Sequence, residues 1–586
     1  MRFAAVFVAW LRSLGGVLRP HGLGMALVVG LSLFLAWPLL RPGFAPGNDT
    51  PTFLHMSWFV NRLLTGAERG LTDPYWYGGF SPLFAYPPLS YTLVAVLALL
   101  PGVSLAGAYT AALLAAYAGL GLAVYYLALE MGVSRLLATL AGLMAVAAYP
   151  VMTGVGLWGW YTTVAALPFA IVSWALLERG LRLRSRRLTV VAGVVFGLVV
   201  LTHHTTSFGV GVALLAWGAF YLVARVYRPR ELVLAAGLFA AGTAVVSGWW
   251  LILFVRQVAQ VDFVREVPGL WAVSLQAFVR APVDPRFIGK YTYPSYVGIV
   301  HLALGVGGML WAAMHPGRLS GTAVAALVLV ALGLGEQVNP LIRLPPFNRT
   351  DVARFPVYAA PFFIILGVGM LQGVWEEAKQ ALGQRWRREW LVGLALAALA
   401  LLMVIPLRDA LVASQRLMRP YVVDSSVRQA LSWLEENGTE GRVLGVGFWH
   451  WDNFLVPYYA GRPVVAGWYD EGARNWRPVL EIRHMMWSGE ADGPRLYQLL
   501  DELEGRYVMV FDYYRVEHPQ AFLDELRGQP ELFEEVAKWE RVVLFEVRRS
   551  GASVSLPRGV ADTIMSFDAR AGTSWGSWRA SSPSYR

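Results

Sequence analysis

The chain has 586 residues, of which 56% are hydrophobic and 15% charged, with a net charge of +10 and no cysteine. So apolar a composition excludes a protein built only from water-soluble domains, and the missing cysteine excludes disulfides, thiolate nucleophiles and cysteine-ligated metals. The positive charge does not argue for nucleic acid as a partner, because the arginines gather in short loops between apolar runs, where the positive-inside bias puts them.

Residues 1–22 carry Arg2, Arg12 and Arg19 ahead of an apolar run that is too long for a signal-peptide core and lacks a small-residue cleavage site, so it is expected to stay as a first span at 23–41. Further spans are expected near 105–128, 135–152, 158–178, 188–202, 206–224, 231–255, 294–313, 319–335, 356–375 and 389–406, about eleven in all. Three strongly basic loops, Arg179 to Arg187, Arg225 to Arg230 and Lys379 to Arg388, belong in the cytoplasm. The apolar run 87–100 is short and opens with Pro87 and Pro88. Counted as a span it would turn the basic loops to the wrong side, so it is expected to be an interfacial or re-entrant helix within an outer loop, 42–104. With an odd count the N-terminus is cytoplasmic.

The fold class that follows is a polytopic α-helical membrane protein, with its transmembrane domain at 23–406 and an extracytoplasmic α/β domain at 407–549. In the latter, charge becomes frequent and apolar runs shrink to strand length, as at Tyr507 to Phe511. The Ser, Arg and Gly-rich tail 550–586 lacks periodicity and is expected to be disordered.

The polar residues that could carry chemistry collect on the outer side. Asp49, in Gly47-Asn48-Asp49-Thr50-Pro51, stands where the first span emerges. It can be read as a helix cap or as a general base held at a surface of low dielectric. Asp73, Tyr75, Trp76, Tyr77 and, beyond two glycines, Tyr86 offer flat rings on which a sugar can stack, although aromatic residues also mark a membrane interface. His203 and His204 join two spans so short that the turn should be recessed, lining a wet cavity or pairing internally. Arg343, Arg349 and Arg354 form a basic outer loop with Asp351, suited to a phosphate or anionic headgroup, or to simple ion pairing. In the outer domain Trp449-His450-Trp451-Asp452-Asn453 and Tyr469-Asp470-Glu471 follow an expected strand. They are either the acceptor side of a site or the finish of a sheet.

An acid just after the first span, an aromatic and proline-rich stretch, many spans and a trailing outer domain together resemble the GT-C superfamily of membrane glycosyltransferases, with Asp49 in GNDTP as the matching acid, and secondarily Asp73 with Tyr86-Pro87-Pro88. Within that architecture the chain looks closest to the bacterial and archaeal membrane proteins catalogued as 6-pyruvoyl-tetrahydropterin synthase-related. The pterin label implies no activity here, since the chain offers no zinc-binding histidine triad. The resemblance implies a polyprenyl-phosphate-linked sugar donor and a glycan, lipid or protein acceptor at the outer face of a prokaryotic cell membrane. It assigns Asp49 as the catalytic residue and Asp73, Tyr75, Trp76, Tyr77 and Tyr86 to the acceptor or sugar. His203, His204, Arg349 and Arg354 fall to the donor phosphate. A divalent metal is only weakly implied, because Asp49 lacks an acidic neighbour and the turn from Val151 to Trp160 has no acid. Two other classes of function fit the same features: a transporter or flippase of a lipid-linked or polar solute, and a non-catalytic envelope scaffold that binds glycan.

Overall fold

The computed structural model describes residues 20–258, 297–334, 338–347, 350–382, 389–467, 473, 475–513 and 517–548. The chain divides into two compact units, one made of the residues before 72 together with 82–422, the other of 72–81 together with 423 onward.

The first unit is helical. In chain order it holds α1 (Gly22–Leu35), α2 (Thr50–Thr65), α3 (Leu89–Leu97), α4 (Leu105–Glu130), α5 (Arg135–Val146), α6 (Tyr149–Gly156), α7 (Tyr161–Arg182), α8 (Arg186–Thr202), α9 (His204–Val223), α10 (Pro229–Val258), α11 (Ile299–Met314), α12 (Arg318–Gly333), α13 (Phe355–Leu382) and α14 (Glu389–Leu417). Among the described residues seven helical stretches are long and apolar enough to cross a membrane, and α1, α11 and α12 are shorter apolar helices. Each of the expected spans contains a helix, and α14 runs on past Pro406 to Leu417, beyond the boundary expected there. The run expected to lie in the interface forms α3, whose nine residues are too few to cross a bilayer. Lipid supplies no hydrophobic force between helices, so close packing rests on small residues. A Cβ on Gly193 of α8 would come within 2.1 Å of the Phe239 carbonyl oxygen of α10, and one on Gly308 of α11 within 2.4 Å of the Leu366 backbone of α13.

The second unit is an α/β domain with α15 (Ser425–Asn437), β1 (Arg442–Val446), α16 (Trp476–Ser488), α17 (Gly493–Glu502), β2 (Gly505–Phe511), α18 (Pro519–Gly528), β3 (Phe533–Lys538) and β4 (Val542–Val547). Its sheet order is β1-β2-β4-β3, with β1 parallel to β2 and the other pairs antiparallel. Parallel strands need a crossover, and α16 and α17 supply it. Residues 72–81, expected to belong to the outer loop of the membrane domain, fold with this unit instead. Asp73 and Phe80 exchange backbone hydrogen bonds, Val464 N–H donates to the Tyr75 carbonyl, and the Trp76 indole donates to the Asn453 carbonyl at 2.8 Å. Trp76 is among the largest fully buried side chains. The expected disordered tail lies outside the described residues.

Candidate functional site

Within the membrane unit, the residues before α2 are strapped to the turn before α7. Asn48 N–H donates to the Leu157 carbonyl at 3.0 Å and Asp49 N–H to the Trp158 carbonyl at 2.8 Å. Glycine is required at the crossing: Gly47 and Gly159 have φ of +117° and +64°, and a Cβ on Gly47 would meet Gly159 N at 2.3 Å. The strap leaves Asp49 buried at the N-terminus of α2 without a side-chain capping bond. The capping alternative for Asp49 is therefore not what its carboxylate does. The Thr50 hydroxyl turns back to the Pro46 carbonyl.

Asp49 faces Arg354, its Oδ2 lying 3.8 Å from the guanidinium. Arg354 sits in a 3-10 turn (Val352–Arg354) just ahead of α13, donates through Nε to Asp351 at 2.7 Å and through Nη1 to the Thr163 hydroxyl at 3.3 Å, and lies 4.2 Å above the Trp160 ring. Burial pushes the Asp351 carboxyl up, against the pull of Arg354. His203 completes the group, with Nε2 at 3.4 Å from Arg354 Nη1.

His203 is fixed by its place in the chain. It caps α9, the backbone N–H of Thr206 lies 3.2 Å from its Nδ1 and the Thr206 hydroxyl 2.7 Å from the same atom. A guanidinium has no acceptor, so the contact of Arg354 Nη1 with Nε2 is a hydrogen bond in the tautomer whose Nε2 accepts, with Nδ1–H then donating to the Thr206 hydroxyl. An anionic oxygen entering here meets the guanidinium N–H groups with the imidazole beside them. Around this point the Tyr86 hydroxyl pairs with Thr162 at 3.0 Å, and the Tyr86 ring lies 6.2 Å from that of His203 and 5.2 Å from that of the exposed His204.

The structure thus gathers Asp49, Tyr86, His203, His204 and Arg354. Asp73, Trp76 and Tyr77 are packed inward rather than open as stacking faces, and Tyr75 is half-buried. Asp73 Oδ1 accepts from Tyr75 N–H, the Tyr77 hydroxyl accepts from Arg483 at 3.0 Å, and Asp73, Trp76 and Tyr77 are at most 1% exposed. An aromatic run bordered by glycines looks the same in sequence whether its rings pack inward or outward. Arg343 belongs to a separate 3-10 turn, Pro340–Arg343. Arg349 and Tyr469-Asp470-Glu471 lie outside the described residues. Trp160, Thr162 and Thr163 went unrecognised, because a turn without an acid drew no attention. Their signal was the run of tryptophan, tyrosine and threonine before a span.

The second unit has a polar centre of its own, a cavity of about 410 Å³, open mouth included, lined by His450, Asp452, Asn453, Arg483, Trp487 and Glu517 among others. Glu517 accepts from the backbone N–H groups of Gly447, Phe448 and Trp449, and holds Trp449 and His450 at φ of +46° and +69°, where non-glycine residues are strained. Burial pushes Asp452 up to about 7, and burial together with Asp452 pushes Glu517 up to about 8. Burial and then Arg483 push His450 well down. Neither unit, among the described residues, brings together three His, Asp or Glu that could hold a metal ion.

No curated protein matches the chain in sequence. Solved structures match most of its length. The oligosaccharyltransferase of Archaeoglobus fulgidus superimposes with a TM-score of 0.56 at 14% identity, covering 84% of this chain and 69% of its own. The mycobacterial arabinofuranosyltransferase AftD gives 0.58 at 14% identity, with 90% of this chain and 40% of its own length. ArnT from Cupriavidus metallidurans, bound to undecaprenyl phosphate, gives 0.50 at 17% identity, with 91% of this chain and 99% of its own. These likenesses are of fold, and the fold is that of the GT-C membrane glycosyltransferases. Residues 84–417 match the 6-pyruvoyl-tetrahydropterin synthase-related domain, described as a membrane protein, and the chain belongs to that family.

Proposed function

We propose that the chain is a membrane glycosyltransferase that moves a sugar from a polyprenyl-phosphate-linked donor to an acceptor outside the cytoplasm. The observation that carries this reading is the convergence of Arg354 and the Nε2 of His203, 3.4 Å apart, beside the carboxylate of Asp49. The GT-C fold supports it, as does the lipid phosphate in the ArnT structure. So does a solved complex of the archaeal oligosaccharyltransferase with an inhibitory peptide and a dolichol-phosphate, which matches with a TM-score of 0.55 and 13% identity over 92% of this chain and 75% of its own.

In the reaction the acceptor O–H or N–H gives its proton to Asp49, the acceptor atom bonds to the anomeric carbon, and the bond from that carbon to the phosphate oxygen breaks. Negative charge then grows on the leaving phosphate. Arg354 donates to it where it forms, oriented by His203 and Asp351, in a setting from which little water screens it. The contact between Asp49 and Arg354, at 3.8 Å, is longer than a hydrogen bond, so a phosphate oxygen can displace it at small cost. Tyr86 and His204 bound the space for the sugar. No step is routed through a metal, for the guanidinium occupies the position between the two acids.

The test is Asp49→Asn in membranes supplied with lipid-linked sugars. Transfer should fall by ~10²–10⁴-fold while retention of polyprenyl phosphate is kept, as for loss of a general base. Unchanged transfer would remove Asp49 from the mechanism. A wild-type chain that holds no polyprenyl phosphate would overturn the donor assignment.

A further inference from the structure

Arg354 is one of three polar residues set along a single face. Asp351 stands just before the 3-10 turn, Arg354 closes it, and Tyr358 follows in the first turn of α13, at spacings of three and four residues that bring side chains together. The reaction uses Arg354 directly. Asp351 orients that arginine, and Tyr358 has had no part.

The two carboxylate oxygens of Asp351 are used unequally. Oδ2 accepts from Arg354 Nε at 2.7 Å, whereas Oδ1 is buried and meets no donor at hydrogen-bond distance. An acceptor buried and unmet is a standing cost to the fold, which an O–H or N–H brought by a ligand removes. The side chain as a whole is 22% exposed, so space opens beside the carboxyl. Tyr358 is fully buried, and its hydroxyl, near that of Thr206, also has no partner at hydrogen-bond distance. It lies within electrostatic reach of Asp351, Arg354 and Tyr86. The ring is held in place from α9, where a Cβ on Gly209 would stand 2.9 Å from Tyr358 and 3.0 Å from Phe355.

We infer, resting on the donor reading above, that Asp351 and Tyr358 hold the hydroxyl on the sugar carbon next to the anomeric one, so that the donor is a 2-hydroxy aldose. The anomeric carbon carries the phosphate that Arg354 binds. The sugar groups nearest Arg354 are therefore the ring oxygen and the substituent on the neighbouring carbon, and the ring oxygen has no hydrogen to give. A hydroxyl gives a hydrogen to Oδ1 and takes one from the phenol at a single atom, whereas an amide nitrogen only gives. A phosphate oxygen is unsuited to that place, because it would set an anion against a carboxylate. A bond to this hydroxyl also strengthens as positive charge grows on the sugar in the transition state, as it does in glycoside hydrolysis.

The experiment supplies membranes containing the full chain with polyprenyl-phosphate-linked glucose, mannose, galactose and arabinose, and with the 2-deoxy and 2-acetamido forms of each sugar transferred. It measures kcat/KM from the polyprenyl phosphate released above membranes that lack the chain. The parent sugar should be used about tenfold to a hundredfold faster than its 2-deoxy form, the range of a hydrogen bond to a charged group, although loss of that hydroxyl by itself eases departure of the phosphate. The 2-acetamido form should also be used more slowly. Asp351→Asn keeps an oxygen for Arg354 and turns an NH2 to the sugar, so it should bring the ratio of parent to 2-deoxy close to one. Tyr358→Phe should lower the ratio severalfold, and it reports on the site if Asp351→Asn does not fold. A 2-deoxy sugar used as fast as its parent would overturn the inference and leave the donor reading standing, as would a preference for the acetamido form. So would variants that slow parent and 2-deoxy sugars alike and leave their ratio at the wild-type value, which is the mark of a purely structural role. A wild type that releases polyprenyl phosphate from none of the parents would overturn the donor reading as well.

Discussion

In the membrane unit Arg354 lies between Asp351 at 2.7 Å and Asp49 at 3.8 Å, with His203 at 3.4 Å. In the second unit Arg483 turns to the Gly467 carbonyl and the Tyr77 hydroxyl, and Glu517 is held by three backbone N–H groups. The ingredients are the same: two acids, an arginine and a histidine. Where the arginine meets the acids directly, at ion-pair distances, a substrate oxygen can compete for it. Where the arginine and one acid are satisfied by backbone, the group is locked into the fold. Polar residues gathered in a hollow thus become chemistry or scaffold according to what meets their hydrogen bonds.

The difference can be broken from either side. The largest effect is expected from the scaffold. Trp76→Ala removes a fully buried indole and its bond to the Asn453 carbonyl, and should destabilise the second unit by about 3–5 kcal/mol, read as the denaturation midpoint of the full chain. Since the chain has no cysteine, a single reporter at Val508, buried in β2, follows that unit alone by pulsed thiol labelling. In the membrane unit, Arg354→Ala should cost transfer ~10²–10³-fold, comparable to loss of an oxyanion donor, and Arg354→Lys should recover little, because a point charge cannot serve Asp351, Thr163 and a phosphate together. Recovery by lysine would mean that charge alone matters there.

A middle-sized effect concerns pH. The ordinary values of Asp452 and Glu517 are 3.8 and 4.5, and in the fold they stand at about 7 and 8. Between these limits the unfolded chain has lost protons that the folded chain keeps. Stability of the second unit should therefore be full at the acid end of the window, fall as pH rises from about 4 to about 8, and level off beyond. Glu517→Gln should flatten that slope at the cost of about 1–3 kcal/mol, since the buried amide adds an N–H that the three surrounding backbone N–H groups cannot accept. A denaturation midpoint that rises with pH in wild type would contradict the burial argument. The smallest effect is Asp424→Ala, which deletes the N-cap of α15 and a partly exposed pair with Arg541, for about 1 kcal/mol in the same assay.

Much of this protein was determined by sequence alone. Lipid tolerates few unpaired polar groups, so apolar runs long enough to span it declare themselves, and each expected span contains a helix. The shortness of 87–100 and the strand-length runs near Arg442 and Tyr507 were legible for the same reason: period and length are local properties. Of the candidate site, Asp49, His203 and His204 are legible as polar groups at the ends of spans, Tyr86 as a ring in the aromatic outer loop and Arg354 as part of a basic outer loop.

Tertiary structure decided the rest. Nothing local told that residues 72–81 would leave the loop that carries them and pack with β1 and α16, for that rests on partners such as Val464 and Arg483, several hundred residues away. Likewise Trp160 and Thr163 are ordinary residues until Arg354 is laid on them. His203 too is an ordinary cap residue until the arginine opposite comes within 3.4 Å of its Nε2. Periodicity is written along the chain, but the convergence of donors on one point is a property of distances between segments, which sequence order does not contain.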